Sequence, residues 1–383
     1  MNTKSTPNFV FSLPNQLLFG VGKLLETGPA VAVLGKKALL VCGPNSIKNG
    51  VAERLEGSLK AAGVAVHRYV GVIPNPTVAS VDEGARIARE KGCDVMIGLG
   101  GGSAMDTAKA IAVAATQDGS IWPYAIGEKP IPAATLPIVA ITTTSGSGSH
   151  CTCFSVVTNP ETHQKPGMGS PYILPRVAVV DPELMVSAPP GLTFATGFDA
   201  FCQGVEAYTS KLANPMSDLF AEKAIALAVQ FLHRAYTNGQ DLEARAGMAL
   251  ADTYAGIAIS HAAVSLGHVI AHVLGGHYEA MPHGDALRAI YREVLRLNSA
   301  GLPEKHAYIA NQLDTGSTDL VAAFDKYFAQ FPFENQLKAM SPSPEALRAM
   351  ANETFTYLKH IVDLNPVPAN VEDAYRILSA SAR

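Results

Sequence analysis

The sequence has no CxxC pair, no long apolar run and little charge, and each shortage closes off a class of function. Its five cysteines (Cys42, Cys93, Cys151, Cys153 and Cys202) are odd in number and scattered. Cys151 and Cys153 stand too close for an ordinary bridge, so neither a disulfide framework nor a thiolate zinc motif is indicated. A reducing, cytoplasmic setting is expected. Apolar stretches such as Leu136 to Ile141 fall far short of a membrane span. Met1 to Phe11 carries no apolar signal core, which argues against export. Charged residues make up 16% of 383 residues, with a formal net charge of -4. Without an acidic tail or a basic stripe, nucleic acid and membrane surfaces have no electrostatic claim on the chain. Internal repeats and low-complexity segments are also absent. What is abundant is apolar: 48% of the residues are hydrophobic, enough for two cores of ordinary size.

The first half alternates short β-rich runs with amphipathic stretches. Strands are expected at Lys37 to Cys42, Val64 to Val70, Asp94 to Leu99 and Leu136 to Thr143. Helices are expected at Ile47 to Ala62, Val78 to Lys91 and Ser103 to Ala115. Such alternation calls for a parallel sheet with helices on both faces. After Asp181-Pro182 and the Pro189-Pro190 break the character changes. From Thr193 onward apolar residues recur at helical spacing and no convincing strand remains. The reading is an α/β nucleotide-binding domain over 1–188 and an all-α domain over 189–383.

Two strand ends are rich in glycine and hydroxyls. Gly100-Gly101-Gly102-Ser103 leaves an apolar strand and opens a helix, where backbone N–H groups and the helix N-terminus suit a pyrophosphate. The GxGxxG fingerprint is missing, so the ordinary dinucleotide fold is not indicated, and glycines alone also make tight turns. A second loop, Thr142 to Ser149, follows another strand. Two such loops at strand ends favour a phosphate-bearing cofactor. Asn75, in Pro74-Asn75-Pro76-Thr77, and Lys165 are further candidate contacts, although either alone is more often a turn residue or a solvated charge.

The helical half carries the candidate chemistry. Asp199 and Gln203 lie four apart and share a helix face, as do His268 and His272. Pro282-His283-Gly284 places a third imidazole on a turn. A carboxylate and imidazoles converging from separate helices can build a divalent metal site. A lone histidine is more often a satisfied core group; several at helix-face spacing are harder to dismiss.

These residues are where the chain resembles the iron-dependent (group III) alcohol dehydrogenases, nearly end to end. The likeness runs through Phe19-Gly20-Val21-Gly22, Pro74-Asn75-Pro76-Thr77, Gly100 to Ser103 with Asp106 and Lys109, and the Thr143 to Ser149 loop. It continues through Asp181-Pro182-Glu183-Leu184, Thr196-Gly197-Phe198-Asp199-Ala200, His268-x-x-x-His272-x-Leu274-Gly275 and Pro282-His283-Gly284. The resemblance implies a dehydroquinate synthase-like fold with a cleft between a nucleotide-binding domain and a helical metal-binding domain. By position it implies that Asn75, Gly101, Gly102, Ser103, Thr143, Thr144, Thr152 and Lys165 hold NAD or NADP. Asp199, Gln203, His268 and His283 occupy the metal positions, for iron or zinc, and His272 stands as a proton relay. The implied reaction interconverts an alcohol and an aldehyde or ketone by metal-assisted hydride transfer. A small-molecule substrate and a homodimer or larger homo-oligomer are expected.

The chain departs from that pattern at four places. Gln203 stands where the family has a histidine ligand, and a carboxamide oxygen is a weaker donor for iron or zinc than imidazole. Weak ligation by Gln203, a water in its place, and a metal-independent reductase like the maleylacetate reductases all remain open. The His272 to His283 segment is one residue longer than usual, which brings forward His277 as a substitute ligand or, more readily, a surface or substrate contact, with His261 a further candidate ligand. The turn Cys42-Gly43-Pro44-Asn45-Ser46-Ile47-Lys48 lacks the acidic residue that pairs with a ribose. That absence, with Ser46 and Lys48 able to bind a 2′-phosphate, favours NADP(H), and Gly43 is a further cofactor contact; a plain Pro/Asn turn is the alternative. Finally, His150 stands where the family has glutamate. Related cyclising lyases and a non-catalytic nucleotide binder are the alternatives from other classes.

Overall fold

A computed structural model describes residues 8–13, 15–356 and 358–383. Residues 1–7, part of the segment examined for a signal core, lie outside the described residues. Six parallel strands form one sheet in the order β1 (Gln16–Phe19), β8 (Val177–Val180), β5 (Ile138–Thr142), β4 (Val95–Gly100), β2 (Lys37–Cys42), β3 (Ala65–Tyr69). A hairpin of β6 (Phe154–Val156) and β7 (Gly167–Gly169) stands apart.

Strands β2, β4 and β5 are almost wholly buried because helices cover both faces. Alternation divides their side chains. Leu39, Val41 and Met96 pack with Val81, Ala85 and Ile111 on one side. Ala38, Leu40, Ile97 and Leu99 pack with Leu24, Leu55 and Leu59 on the other. Each fully buried leucine of this kind contributes roughly 1.5–3 kcal/mol.

Two expectations need correction. The helix expected from Ile47 to Ala62 is two helices, Pro44–Lys48 and Val51–Ala61. Gly50 breaks it, with a left-handed φ of 75°. The edge strand β1 and strand β8 were not anticipated, each being only four residues long.

Beyond Pro189 every regular element among the described residues is a helix. Their core is a cluster of rings, with Phe198 packed edge-on against Tyr291, Phe324 and Phe328. The sheet meets this half through β8. Ala178 packs with Ile257, and Val180 with Ala249, both on the helix Leu242–Ala262. A second seam closes the cleft from above. The backbone carbonyl of His163, at the tip between β6 and β7, lies where a Cβ on Gly276 would be only 2.1 Å away. Asn75 Nδ2 donates to the Glu279 carbonyl across the same seam at 3.4 Å. No single described helix is long and apolar enough to cross a membrane.

Candidate active site

The cofactor candidates gather at the carboxyl ends of the central strands. The order β5-β4-β2-β3 reverses direction between β4 and β2, where open α/β sheets leave a crevice for a ligand. Gly43 caps the helix after β2, and Gly101 caps the helix Gly102–Ala114 after β4. The loop after β5 lies directly alongside, since the Thr143 N–H donates to the Gly100 carbonyl at 3.0 Å. A Cβ on Gly101 would stand 3.0 Å from Thr144 Oγ1, and one on Gly102 would stand 2.9 Å from Ser147 Cβ. The two glycines thus let the loops after β4 and β5 pack closely, and the backbone left partly exposed at this helix N-terminus suits a pyrophosphate. Gly101, Gly102, Ser103, Thr143 and Thr144 are all partly exposed, whereas Ser46 is buried and Lys48 exposed.

Beneath these loops Lys109 is fully buried. Its ammonium donates to the Ser149 carbonyl and hydroxyl at 2.7 and 2.8 Å. It also reaches the Thr152 carbonyl at 2.9 Å, the Thr152 hydroxyl at 3.2 Å and the Phe154 carbonyl at 2.7 Å. Thr152 thus turns both oxygens to Lys109, which leaves only its hydroxyl proton to offer elsewhere. Lys165 is the contrasting lysine. It faces the cleft, holds Asn75 Oδ1 at 2.7 Å, and has its pKa lowered to about 8 by burial, against the pull of Asp106 and Asp199. Asn75 accepts this bond from a left-handed backbone (φ 57°), which asparagine tolerates.

The metal candidates come from three helices. Pro190–Thr209 starts at a proline pair and carries Asp199, Gln203 and Glu206 on one face. Leu266–His277 carries His268 and, one turn on, His272. His283 opens the helix His283–Asn298, drawn close because Gly284 has no side chain: a Cβ there would meet the Ala195 carbonyl at 2.0 Å.

Asp199, His268 and His283 each offer one donor atom, all within 4.8 Å of one another. His268 Nε2 is 3.1 Å from Asp199 Oδ1, and His283 Nε2 is 3.9 Å from it. Donors bonded to one tetrahedral ion at about 2.0–2.1 Å sit about 3.3 Å apart, so these residues fit a divalent metal. Gln203 lies beside them but turns its NH₂ to Asp199. His272 packs against His283 with ring centroids 5.3 Å apart. Burial and the neighbouring Lys165 hold it down at about 3, so it is neutral at ordinary pH.

Glu206 is the residue the sequence reading missed. Its Oε2 lies 3.1 Å from His268 Nδ1, a close ion pair rather than an aligned hydrogen bond. The same oxygen accepts from the Ser265 backbone N–H. A carboxylate behind a ligating imidazole fixes the ring and raises its basicity. Burial pulls the His268 pKa down, yet Glu206 and Asp199 together push it up to about 10. The signal was available: 199, 203 and 206 follow one helical face.

The two substitute ligands do not join the site. His277 Nε2 pairs with Glu353 at 2.7 Å and the ring stacks on His163. His261 stacks on Phe11 and bonds the Ser12 backbone. His150 is fully buried beneath the Thr142 to Ser149 loop, with Nε2 2.9 Å from Thr253 Oγ1 and Nδ1 3.8 Å from Asp252 Oδ2. Asp252 in turn accepts from the Gly148 N–H at 2.6 Å.

Comparison with known proteins covers both halves. Residues 14–182 match the family described as iron-containing alcohol dehydrogenase, and residues 193–382 match the C-terminal part of the Fe-containing alcohol dehydrogenase family. A choline dehydrogenase of Bacillus subtilis (strain 168) is 41% identical, over 81% of this chain and 78% of the relative. An NAD-dependent methanol dehydrogenase of Bacillus methanolicus is 34% identical over 96% of this chain and 98% of its own. The solved structure of an archaeal halo-thermophilic Red Sea brine pool alcohol dehydrogenase superposes with a TM-score of 0.93. It is 36% identical, over 98% of this chain and 99% of the other.

Proposed function

The chain belongs to the iron-containing alcohol dehydrogenase family and interconverts an alcohol with its carbonyl partner by nicotinamide-linked hydride transfer; from that premise we propose that a divalent metal still assists, held by Asp199, His268 and His283. The observation that carries this is their convergence within 4.8 Å, with Glu206 set behind His268. When bound, the metal would polarise the reacting oxygen and the nicotinamide would carry the hydride. Asp199 supplies the negative charge at the site, and Glu206 aims the His268 Nε2 into it. The partly exposed backbone at Gly101 and Gly102 receives the pyrophosphate. His272, kept neutral, relays the alcohol proton, accepting it at one ring nitrogen as it gives up the proton on the other. Lys165 presents its ammonium to the same cleft.

NADP(H) is the preferred dinucleotide in this reading, because the turn after β2 carries no carboxylate to repel a 2′-phosphate while Lys48 is exposed. The substrate class is a small primary alcohol or its aldehyde, in line with methanol and choline in the names of two relatives. A reducing compartment, the cytoplasm, fits five unbridged thiols.

The test is elemental analysis of protein purified without added metal, followed by chelation and readdition. About one metal per chain is expected, with NADPH-linked turnover lost on chelation and restored by Fe²⁺ or Zn²⁺. Full activity in metal-free protein would overturn the reading and favour metal-independent reduction of an activated carbonyl. Comparing kcat/KM with NADPH and NADH decides the dinucleotide.

A further inference from the structure

We infer that Gln203 is not a fourth metal ligand but the hydrogen-bond donor that holds Asp199 in place, so that the protein contributes two imidazoles and one carboxylate. This rests on the metal reading above.

The orientation of the carboxamide decides the matter. Gln203 Nε2 lies 3.0 Å from the Gly146 carbonyl oxygen and 3.1 Å from Asp199 Oδ1. Both neighbours are acceptors only, so both amide protons are used. Turning the amide over would set Oε1 against a carbonyl and a carboxylate, exchanging two hydrogen bonds for two repulsions. Oε1 therefore points away from Asp199, toward Gly148, where a Cβ would stand 3.3 Å from it. It is buried there without a partner. The side chain is only 4% exposed, wedged between the Gly146 to Gly148 loop and Asp199.

The residue thus joins the two ligand-binding features of the protein. One amide proton steadies the loop after β5, and the other steadies a carboxylate that His268 also contacts at 3.1 Å. A partner that orients a ligand without touching the metal is worth roughly 10–100-fold in metal affinity.

The experiment titrates metal-free full-length protein with Co²⁺, reading the visible bands and the affinity against a chromophoric chelator. Wild type, Gln203→Leu and Gln203→His are compared. The expected result is one Co²⁺ per chain for wild type. Gln203→Leu should keep the same band positions, since no ligand is lost, with affinity down by about 10-fold. Gln203→His should shift the bands and bind at least about 10-fold more tightly as an imidazole joins. A band shift in Gln203→Leu with a loss well beyond about 100-fold would overturn the inference while leaving the metal reading intact. Wild type that binds no Co²⁺ would sink the metal reading and this inference together. Should Gln203→Leu fail to fold, a crystal structure of the Co²⁺-loaded wild type decides. A Gln203 oxygen within bonding distance of the ion, about 2.0–2.2 Å, would overturn the inference, and one well beyond it would sustain it.

Discussion

Two buried imidazole–carboxylate pairs lie on either side of the same loop, and they end in opposite charge states. His268 is flanked by Asp199 and Glu206, both at 3.1 Å, and is pushed up to about 10 although burial works against it. His150 has one carboxylate, Asp252, at 3.8 Å. Burial, helped by Lys109, holds His150 down at about 3, and burial also lifts Asp252 to about 8. Burial pushes both imidazoles the same way; the second carboxylate decides the outcome. One pair is a charged nest that can exchange its proton for a divalent cation. The other is a neutral peg under the loop after β5.

The most severe way to break the contrast is Asp199→Asn, which takes the central charge from the first pair. Bound metal should disappear, and turnover should fall by on the order of 10²-fold or more, beyond what an outer partner is worth. Metal content and steady-state rate measure this, and wild-type turnover in the variant would remove the catalytic distinction between the pairs. Glu206→Gln is the next test. It leaves an oxygen for the Ser265 N–H but removes the second carboxylate. Metal affinity should drop by roughly 10–100-fold in chelator competition, with the fold kept.

Asp252→Asn sharpens the other side. The folded pKa of Asp252 is raised above its ordinary 3.8, so its contribution to stability is full below about 4 and lost as pH rises toward about 8. His150 is depressed from 6.5 to about 3, so its contribution is present above about 6.5 and lost as pH falls through about 3. The slopes oppose each other between about 4 and 6.5. From about 6.5 to 8 Asp252 is the member of this pair still changing, at no more than about 1.4 kcal/mol per pH unit, alongside a decline of the same sign from His268, whose pKa is raised to about 10. Urea melts should show wild type losing stability over that alkaline interval. Asp252→Asn should lose the Asp252 share of that decline, keep the share from His268 and expose the acid-side loss from His150, with metal content unchanged.

Legibility in the sequence followed burial. Strands β2, β4 and β5 announced themselves as apolar runs bounded by turn residues, because helices cover both of their faces. The edge strand β1, four residues with two exposed, has no such signature. The four-residue spacings of Asp199 with Gln203 and of His268 with His272 showed shared faces, but only packing could bring three helices together. Glu206 escaped notice because a glutamate in a helix ordinarily reads as solvated surface. The direction of the Gln203 amide depends on the Gly146 carbonyl, 57 residues away in sequence.

The contact of the His163 carbonyl with Gly276 carries a consequence for how the two halves work together. His163 is two residues from Lys165, and Gly276 lies on the helix that bears His268 and His272. Any relative shift of the halves therefore moves the ammonium against the imidazoles. A dinucleotide held by Asn75 and Lys165 and a cation held by Asp199, His268 and His283, as proposed, would share this seam. Whatever free energy the first gains by tightening it must be returned equally to the second, so the two affinities are thermodynamically linked.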